Sequence, residues 1–401
     1  MIRSKFTSPF AQFPREVKIL IFASFFVALG FGIVLPAIPV FARSFGVNNA
    51  AVGLIISAFA IARFCSGLIS GKLVDLFGER AVFSSGVGMV ALFTLLVGFS
   101  NSYHQLLIFR SAGGLGSSMF SVAAGSVIMR SVDDEHRGRA QSLYNGAFLI
   151  GGITGPAIGG LLTLISLRAP FFAYTFTLTI SGLIAFFFLT GANLGKRVKD
   201  STAVAHTTIS QALKLRPYRY ALVISFLTTW VLFGLRSSVL PIFVIESLHS
   251  TTAVVGYGFT LSAIFQGFLL LRAGKFSDIR GRRFAALVGT SIIVIGVIVM
   301  VFTIHPWMYL LSMVILGIGG AFISTVPATV VGDVIEGKGG QVIALFQMAG
   351  DAGMMVGPIV AGAISDAYSY RTAFAATGMI FLIAVILSYR LPETRSSYLS
   401  K

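Results

Sequence analysis

The sequence predicts an all-α membrane protein of twelve transmembrane helices arranged as two similar six-helix bundles. Three observations predict this fold: the composition, the number of long apolar stretches, and a repeat that divides the chain in two. Of the 401 residues, 56% are hydrophobic and 11% are charged, whereas about 25% of a soluble domain is charged. So few charged residues could not cover a soluble protein of this size, but a lipid bilayer solvates apolar surface directly.

Twelve apolar stretches are long enough to cross a bilayer core, which takes about 20 helical residues. We place them at 17–42, 51–71, 81–99, 105–129, 141–164, 170–190, 219–245, 254–273, 284–303, 307–331, 341–365 and 371–390. The first stretch is too long for the core of a cleavable signal peptide, so we expect it to be retained. The sequence has no Walker loop, GxSxG elbow or HExxH motif, and we therefore expect no enzymatic activity, metal site or cofactor.

The positive charge of the chain, formally +16, follows the membrane topology. Of the 30 Lys and Arg residues, 24 fall on the side that holds both termini and the central loop. Three of the remaining six fall on the opposite side, namely Arg43, Arg168 and Arg371. The other three fall within predicted helices, namely Arg63, Arg110 and Arg236. Basic loops stay in the cytoplasm. We therefore predict a multi-pass protein of the cell (inner or plasma) membrane with cytoplasmic termini, and no nucleic-acid partner.

The chain repeats one plan at an offset of about 203 residues. GKLVDLFGER at 71–80 and GKFSDIRGRR at 274–283 both fit G-K-x-x-D-x-x-G-x-R. Helix five has a glycine-proline motif whose spacing returns at 353–358 in helix eleven; its residues are Gly151, Gly155, Pro156, Gly159 and Gly160. We expect an N-terminal bundle at 1–195, a cytoplasmic linker at 196–218 and a C-terminal bundle at 219–401 that ends in a short tail. Such a plan works as a monomer and places a substrate between the halves.

These motifs resemble those of the major facilitator superfamily, and in part those of its twelve-helix drug:proton antiporter branch. The segment at 110–116 resembles the helix-four motif of that branch, although Gly113 stands where the pattern usually has Gln. The glycines of helix five resemble the antiporter motif, with Ser142 in place of its leading glycine, and 36–39 resembles the helix-one motif. The resemblance implies a secondary transporter in which a small molecule moves against protons.

The resemblance also implies a role for the loop motifs. Asp75 would meet Arg80 and the start of helix eleven, and so latch the cytoplasmic side in the outward-open state. Gly71 and Gly78 permit tight turns in this loop. The second copy could form a pseudo-symmetric latch from Gly274, Asp278, Gly281 and Arg282, together with Arg283. A local cap and salt bridge without a gating role is the alternative.

Asp351 is the one acidic residue that falls well inside a predicted helix, about 15 Å from either surface. A carboxylate at that depth costs roughly 3 kcal/mol. The residues leave three roles open for it: a proton carrier, a permanent ion pair with an intramembrane arginine, or a contact to a cationic substrate. Gln347 lies one turn earlier on the same face. It would bond either to Asp351 or to a neighbouring helix.

Three arginines accompany this aspartate inside the predicted helices. The resemblance implicates Arg110 in proton coupling, and a snorkelling side chain is the alternative. Arg63 and Arg236 could balance Asp351 or together attract an anionic substrate. Three arginines against one aspartate do not suit a transporter of organic cations, and they are compatible with neutral, zwitterionic or anionic cargo. Glu246, at the end of helix seven, is predicted to be a solvated end residue.

The leading hypothesis is proton-coupled export of small hydrophobic or drug-like compounds by alternating access. Prolines within helices five and eleven remove backbone hydrogen bonds, so we interpret their glycine-proline motifs as packing hinges; a role in setting export direction rests on resemblance. The alternative is an uptake symporter or facilitator for a sugar or organic anion. A hypothesis of a different class is a membrane-embedded receptor or enzyme. Such a protein would move no cargo in sealed vesicles.

Overall fold

The computed structural model describes residues 13–132, 134–189, 208–334 and 340–394, and every regular element in these ranges is helical. Eleven helices in this part of the chain are long and apolar enough to cross a membrane. One of them, Asn49–Gly98, has 50 residues and supplies two crossings. The predicted twelve crossings are therefore confirmed.

We number the crossings helix 1 to helix 12. In the N-terminal half, helix 1 consists of Arg15–Val34 and Ala37–Arg43, helices 2 and 3 are the parts of Asn49–Gly98 before and after Gly78, and helices 4, 5 and 6 are Tyr103–Ser131, Asp134–Ile165 and Ala169–Phe188. In the C-terminal half, helix 7 consists of three consecutive pieces, Arg216–Thr229, Trp230–Val239 and Leu240–Glu246. Helix 8 is Thr252–Arg280, helix 9 is Arg282–Val301, and helix 10 consists of Pro306–Ile323 and Val326–Val334. Helix 11 is Gly340–Ala367 and helix 12 is Tyr370–Arg390.

An even number of crossings puts the first and last described residues, Phe13 and Thr394, on one face of the bundle. We call it the terminal face and the opposite one the distal face. The predicted linker at 196–218 is described only from residue 208, where a short helix, Ile209–Lys214, precedes helix 7. Helix 7 begins at Arg216 rather than at the predicted 219. Residues 196–207 lie outside the described ranges.

The two loop motifs are helical rather than open loops, which corrects the prediction. Helix 2 continues up to a single turn residue, Gly78, and helix 8 ends in the same way at Gly281. Their φ angles of 80° and 96° lie in the left-handed region, which glycine adopts without a Cβ clash. Gly71 and Gly274 lie inside helices, so the tight turn expected at Gly71 is wrong.

Helices 1 and 7 are interrupted at equivalent levels by different means. Helix 1 breaks at Leu35 and Pro36, because proline cannot donate the backbone hydrogen bond that would continue the helix. Helix 7 instead contains the ten-residue π-helix Trp230–Val239. There the Ser237 hydroxyl donates to the Leu232 carbonyl, five residues earlier, at 3.0 Å. A π-helix of this length is rare, and shorter π-bulges are frequent at functional sites.

Each half has its own apolar core, and a tyrosine fastens each of the two cores. In the N-terminal half the Tyr103 hydroxyl donates to the Ala51 carbonyl at the start of helix 2, at 2.9 Å. In the C-terminal half Tyr309 donates to Val255 at the start of helix 8, also at 2.9 Å. The outer surface of the bundle exposes large apolar side chains such as Leu68 at 86%, which a lipid bilayer can solvate.

Candidate functional site

Two helix pairs join the halves: helices 2 and 11, which we call the first seam, and helices 5 and 8, the second seam. In each seam a glycine lies directly against the carbonyl of an intrahelical proline. A Cβ on Gly53 would lie 2.2 Å from the Pro358 oxygen, and one on Gly256 would lie 2.4 Å from the Pro156 oxygen. No side chain fits at such distances, so both seams require glycine for the close approach of two backbones.

The distal end of the first seam is closed by an aspartate of helix 11. The Asp366 carboxylate accepts the backbone N–H groups of Asn49 at 2.9 Å and Ala50 at 2.8 Å. These groups begin helix 2, where the first N–H groups have no partner within the helix and the dipole favours an anion. Gly362 packs on the same turn, with a Cβ position 2.4 Å from the Asn49 carbonyl oxygen.

The second seam closes at the same level with neutral groups. The Thr163 hydroxyl of helix 5 bonds to the Thr252 hydroxyl at the start of helix 8. Gly160, the last glycine of the helix-five motif, packs on that turn, with its Cβ position 2.8 Å from the Thr252 carbonyl oxygen. Thr252 corresponds to Asn49 in the internal repeat, and Thr163 lies one residue from the position that corresponds to Asp366.

An ion pair crosses between the halves at the distal face, and we call it the distal pair. Arg43 donates to Glu246 at 2.7 Å, and the Tyr370 hydroxyl donates to the same carboxylate at 2.6 Å. Arg43 and Glu246 occupy equivalent positions in the repeat. Glu246 is exposed at the end of helix 7, as predicted, and its carboxylate also bonds to both halves.

Where both partners are described, the hydrogen bonds between the halves lie at the distal face. On the terminal side, the charged groups of the loop motifs bond within their own half. The structure is thus a conformation closed at the distal face.

The loop motif of the N-terminal half is organised around an arginine of helix 4. Arg130 contacts Asp75 at 2.9 Å and the buried Glu79 at 2.8 Å. Arg80 lies over the Phe186 ring, 5.2 Å from its centroid. The expected contact between Asp75 and Arg80 is therefore not formed in this conformation.

The loop motif of the C-terminal half repeats one of these contacts with the charges exchanged. Arg282 bonds to Asp278 at 2.5 Å and to Asp333 of helix 10 at 3.0 Å. Arg282 and Asp333 occupy the positions that Glu79 and Arg130 hold in the first half. The predicted association of Asp278 with Arg282 is present. Arg283 lies over Tyr389, as Arg80 lies over Phe186.

The interior of the first seam contains Asp351 of helix 11 and Arg63 of helix 2. Asp351 is half-buried and makes no hydrogen bond or ion pair within 4 Å to a described residue. The guanidinium of Arg63 is the charge that acts on it. Gln347 is exposed one turn away, and within the described residues its predicted hydrogen bond to Asp351 is not formed. The pair is thus close enough to interact and is not locked together.

At the equivalent level the second seam is apolar. Leu149 and Ile153 of helix 5 face Gly267 of helix 8, with side-chain carbons 3.4 Å and 3.3 Å from its Cβ position. Leu149 corresponds to Asp351 in the repeat, and Gln266 corresponds to Arg63. Only one of the two seams therefore has charges in its interior, within the part of the chain that the structure describes.

Arg110 and Arg236 lie inside their own halves, away from Asp351. Arg110 is 7% exposed and lies over the Phe59 ring of helix 2, 4.2 Å from its centroid. It does not reach the surface, which argues against the snorkelling alternative. Arg236 donates to the Ser262 hydroxyl of helix 8 at 3.2 Å. The Nε atoms of both arginines are buried without a hydrogen-bond partner.

The other glycines of the helix-five motif face helix 1. The Cβ positions of Gly151 and Gly155 lie 2.5 Å from backbone atoms of Leu29, and that of Gly159 lies 1.9 Å from the Ile33 oxygen. These contacts agree with the interpretation as packing positions. Sequence reasoning missed the seam glycines of helices 2 and 8, Gly53 and Gly256, although their offset of 203 residues was a signal. It also missed Asp366 of helix 11.

Comparison with known proteins assigns the family. The family model of the Major Facilitator Superfamily matches residues 20–243 and 226–401. The chain is 24% identical to an uncharacterized MFS-type transporter of Methanocaldococcus jannaschii, over 94% of this chain and 97% of the relative. It is 27% identical to the multidrug resistance protein MdtG of Salmonella choleraesuis, over 94% of this chain and 95% of the relative.

Solved structures share the fold. A bacterial homolog of the human lysosomal transporter Spinster, in an inward-facing and unoccupied conformation, has a TM-score of 0.80 at 16% identity over 95% of this chain and 97% of the other. The human organic anion transporter MFSD10 has a TM-score of 0.67 at 19% identity, over 93% of this chain and 99% of the other. With twelve helices in two matched halves and a family match to both, the chain belongs to the major facilitator superfamily and is a membrane transporter of small molecules.

Proposed function

We propose that this transporter exports small hydrophobic or drug-like compounds from the cell in exchange for protons. The terminal face is cytoplasmic in this proposal, because 24 of the 30 Lys and Arg residues fall on that side. The match to the multidrug resistance protein MdtG supports drug-like cargo. The protein works as a monomer in the bilayer, and its basic charge serves topology rather than nucleic-acid binding.

Asp351 is the observation that carries the proposal. Its carboxylate belongs to one half and interacts electrostatically with the Arg63 guanidinium of the other half, and it has no fixed hydrogen bond to a described residue. Leu149 takes its place in the second seam, so the fold itself does not need a charge there. A carboxylate at this depth is costly, and this cost favours a functional role for Asp351. One that can be protonated or can pair with Arg63 couples its charge to the position of the two halves.

The proposed cycle rocks residues 1–195 against 219–401, with 196–218 as the cytoplasmic linker. Opening the distal face separates Arg43 from Glu246 and Asp366 from helix 2. Closing the terminal face brings Asp75 away from Arg130 toward the start of helix 11. Asp278 and Arg282 make the corresponding contacts in the second half.

The experiment is pH-gradient-driven flux and counterflow in proteoliposomes that contain the full-length protein. An amphipathic drug, a sugar and an organic anion serve as probes. We expect the gradient to drive drug movement in the export direction and Asp351→Asn to abolish the gradient dependence. Counterflow, which needs no gradient, should persist in this variant, because the halves can still exchange cargo.

Leu149→Asn is the matched control, since it places the same amide at the equivalent position of the second seam. We expect it to keep gradient-dependent movement. Unchanged gradient dependence in Asp351→Asn would show that Asp351 is a structural partner of Arg63. Gradient-driven accumulation of the sugar or the anion would favour the uptake alternative.

A further inference from the structure

The interior of the described helices has an excess of positive charge. Away from the helix ends it contains three arginines and one aspartate: Arg63, Arg110, Arg236 and Asp351. Asp351 interacts electrostatically with Arg63, whereas no carboxylate of a described residue lies within 4 Å of Arg110 or Arg236. An isolated guanidinium is unfavourable at membrane depth, and a buried charge normally has a partner. The missing counter-charge can come from the cargo.

Arg236 has hydrogen-bonding capacity that the protein does not use. One Nη atom donates to the Ser262 hydroxyl, a neutral partner, and the guanidinium lies 5.1 Å from the centroid of the Phe259 ring. Its Nε–H has no acceptor. The residue as a whole is partly exposed, so it is not sealed within the core. A planar guanidinium with free N–H groups is suited to bind a carboxylate or phosphonate through two parallel hydrogen bonds.

The fold does not need a cation at this position. Gly234 packs on Gly357 as Gly32 packs on Gly155, which aligns Arg236 with Val34 of helix 1. Val34 is apolar and fully buried. Arg236 also lies in the π-helical part of helix 7, where the extra residue per turn changes the direction of the side chains that follow.

We propose that Arg236 binds the anionic group of the cargo, and that the substrates are amphipathic organic anions with a carboxylate, phosphonate or sulfonate on an apolar body. This rests on the proposed function in one respect, that the cargo is a drug-like small molecule. It does not depend on proton exchange. Asp351 then handles the proton while Arg236 selects the cargo.

The test is equilibrium binding to the detergent-solubilised full-length protein, with no gradient present. The probes are 1-naphthaleneacetate and 1-naphthaleneacetamide, which share the apolar ring and differ in charge. We expect the wild type to bind the acetate about tenfold or more tightly than the amide. Arg236→Gln should lose this preference and keep the weaker affinity for the amide, whereas Arg236→Lys should retain part of it.

Arg272→Gln is the matched control, because Arg272 also lies over a phenylalanine, Phe268, but is exposed near the end of helix 8. It should leave the preference unchanged. Equal binding of the two probes by the wild type, no measurable binding of the acetate, or an unchanged preference in Arg236→Gln each overturns the proposal. If Arg236→Gln is unstable, Arg236→Lys decides the question. A partial loss of the preference for the acetate supports the proposal. An unchanged preference overturns it, because replacing a purely structural arginine would not alter the preference.

Because binding is measured without a gradient, the two proposals fail separately. A clear preference for the acetate together with flux that ignores the pH gradient counts against proton exchange alone. Gradient-driven flux of the amide and the acetate at equal rates counts against the anionic cargo alone.

Discussion

The two seams are built alike at the backbone and differ in their side chains. Both bring a glycine against a proline carbonyl, through Gly53 and Pro358 in the first seam and Gly256 and Pro156 in the second. The first seam then adds charges, Asp351 opposite Arg63, whereas the second places Leu149 against Gly267. Since an apolar seam joins the halves equally well, joining them does not require the charges. The glycine-proline contacts therefore hold the halves together, and the charges of the first seam are available for coupling the movement of the halves to protons.

The shared part of the seams is tested by adding a methyl group to either glycine. We expect Gly53→Ala and Gly256→Ala to lower transport by about tenfold or more, because the Cβ would meet backbone that cannot move aside, and such overpacking typically costs about 1–3 kcal/mol. Counterflow in proteoliposomes is the measurement.

Gly88→Ala and Gly125→Ala are controls in helices 3 and 4, since a Cβ there meets nothing within 4 Å. They should transport as the wild type does. A large effect at one seam glycine and none at the other would show that the two seams do not share a structural role.

The charged part of the first seam is tested by making it resemble the second. Arg63→Gln introduces the residue type that Gln266 provides at the equivalent position. We expect gradient-driven flux to fall about tenfold, because Asp351 loses the cation of the other half, and groups that are coupled in this way commonly interact by about 0.5–3 kcal/mol. The double variant with Asp351→Asn should be no worse than Asp351→Asn alone. Additive losses in the double variant would mean that the two residues act independently.

The distal ends of the seams differ in strength, because one cap is an anion and the other is neutral. Asp366→Ala should favour distal opening by about 0.5–2 kcal/mol, and Thr163→Val should have a smaller effect. The reporter is thiol labelling of Ile242→Cys in a Cys65→Ser background. Ile242 is 2% exposed and packs with the apolar core of the other half. Faster labelling in Thr163→Val than in Asp366→Ala would reverse the predicted order.

The distal pair should have the smallest effect. Arg43 and Glu246 have side chains that are each 35% exposed, so solvent screening limits their attraction to about 0.2–1 kcal/mol. Arg43→Glu should raise labelling of Ile242→Cys a few-fold at low salt and less at high salt. The exchange Arg43→Glu with Glu246→Arg should restore slow labelling, because it recreates the pair. Labelling that stays fast in the exchanged variant would show that orientation matters more than charge.

The sequence predicted the elements that depend on the backbone and on composition. The twelve crossings follow from apolar length, and the repeat placed Gly78 and Gly281 at equivalent points, where both have positive φ angles. It did not predict that the loop motifs are helical on either side of these glycines, because their polar residues read as a loop. Nor does apolar length distinguish the proline break of helix 1 from the π-helix of helix 7.

The site was predicted in its residue types and less well in its contacts. Asp351 and Arg63 were identified because charges are rare within membrane helices, and in the structure the charge of Arg63 acts on Asp351. The bond of Glu246 to Arg43 was missed, because the two residues are far apart in sequence. Asp366 was missed for the same reason: its partners are backbone N–H groups of a different helix, which have no sequence signature.

The distal pair joins two positions that the repeat makes equivalent, Arg43 from one half and Glu246 from the other. A symmetric assembly of two N-terminal halves would bring arginine against arginine there, and one of two C-terminal halves would bring glutamate against glutamate. Each half is thus complementary to the other and repels a copy of itself at this point. At this point the chain resembles a heterodimer whose two subunits are fused. Like charges at the position of the distal pair disfavour the wrong pairing of halves during assembly in the membrane.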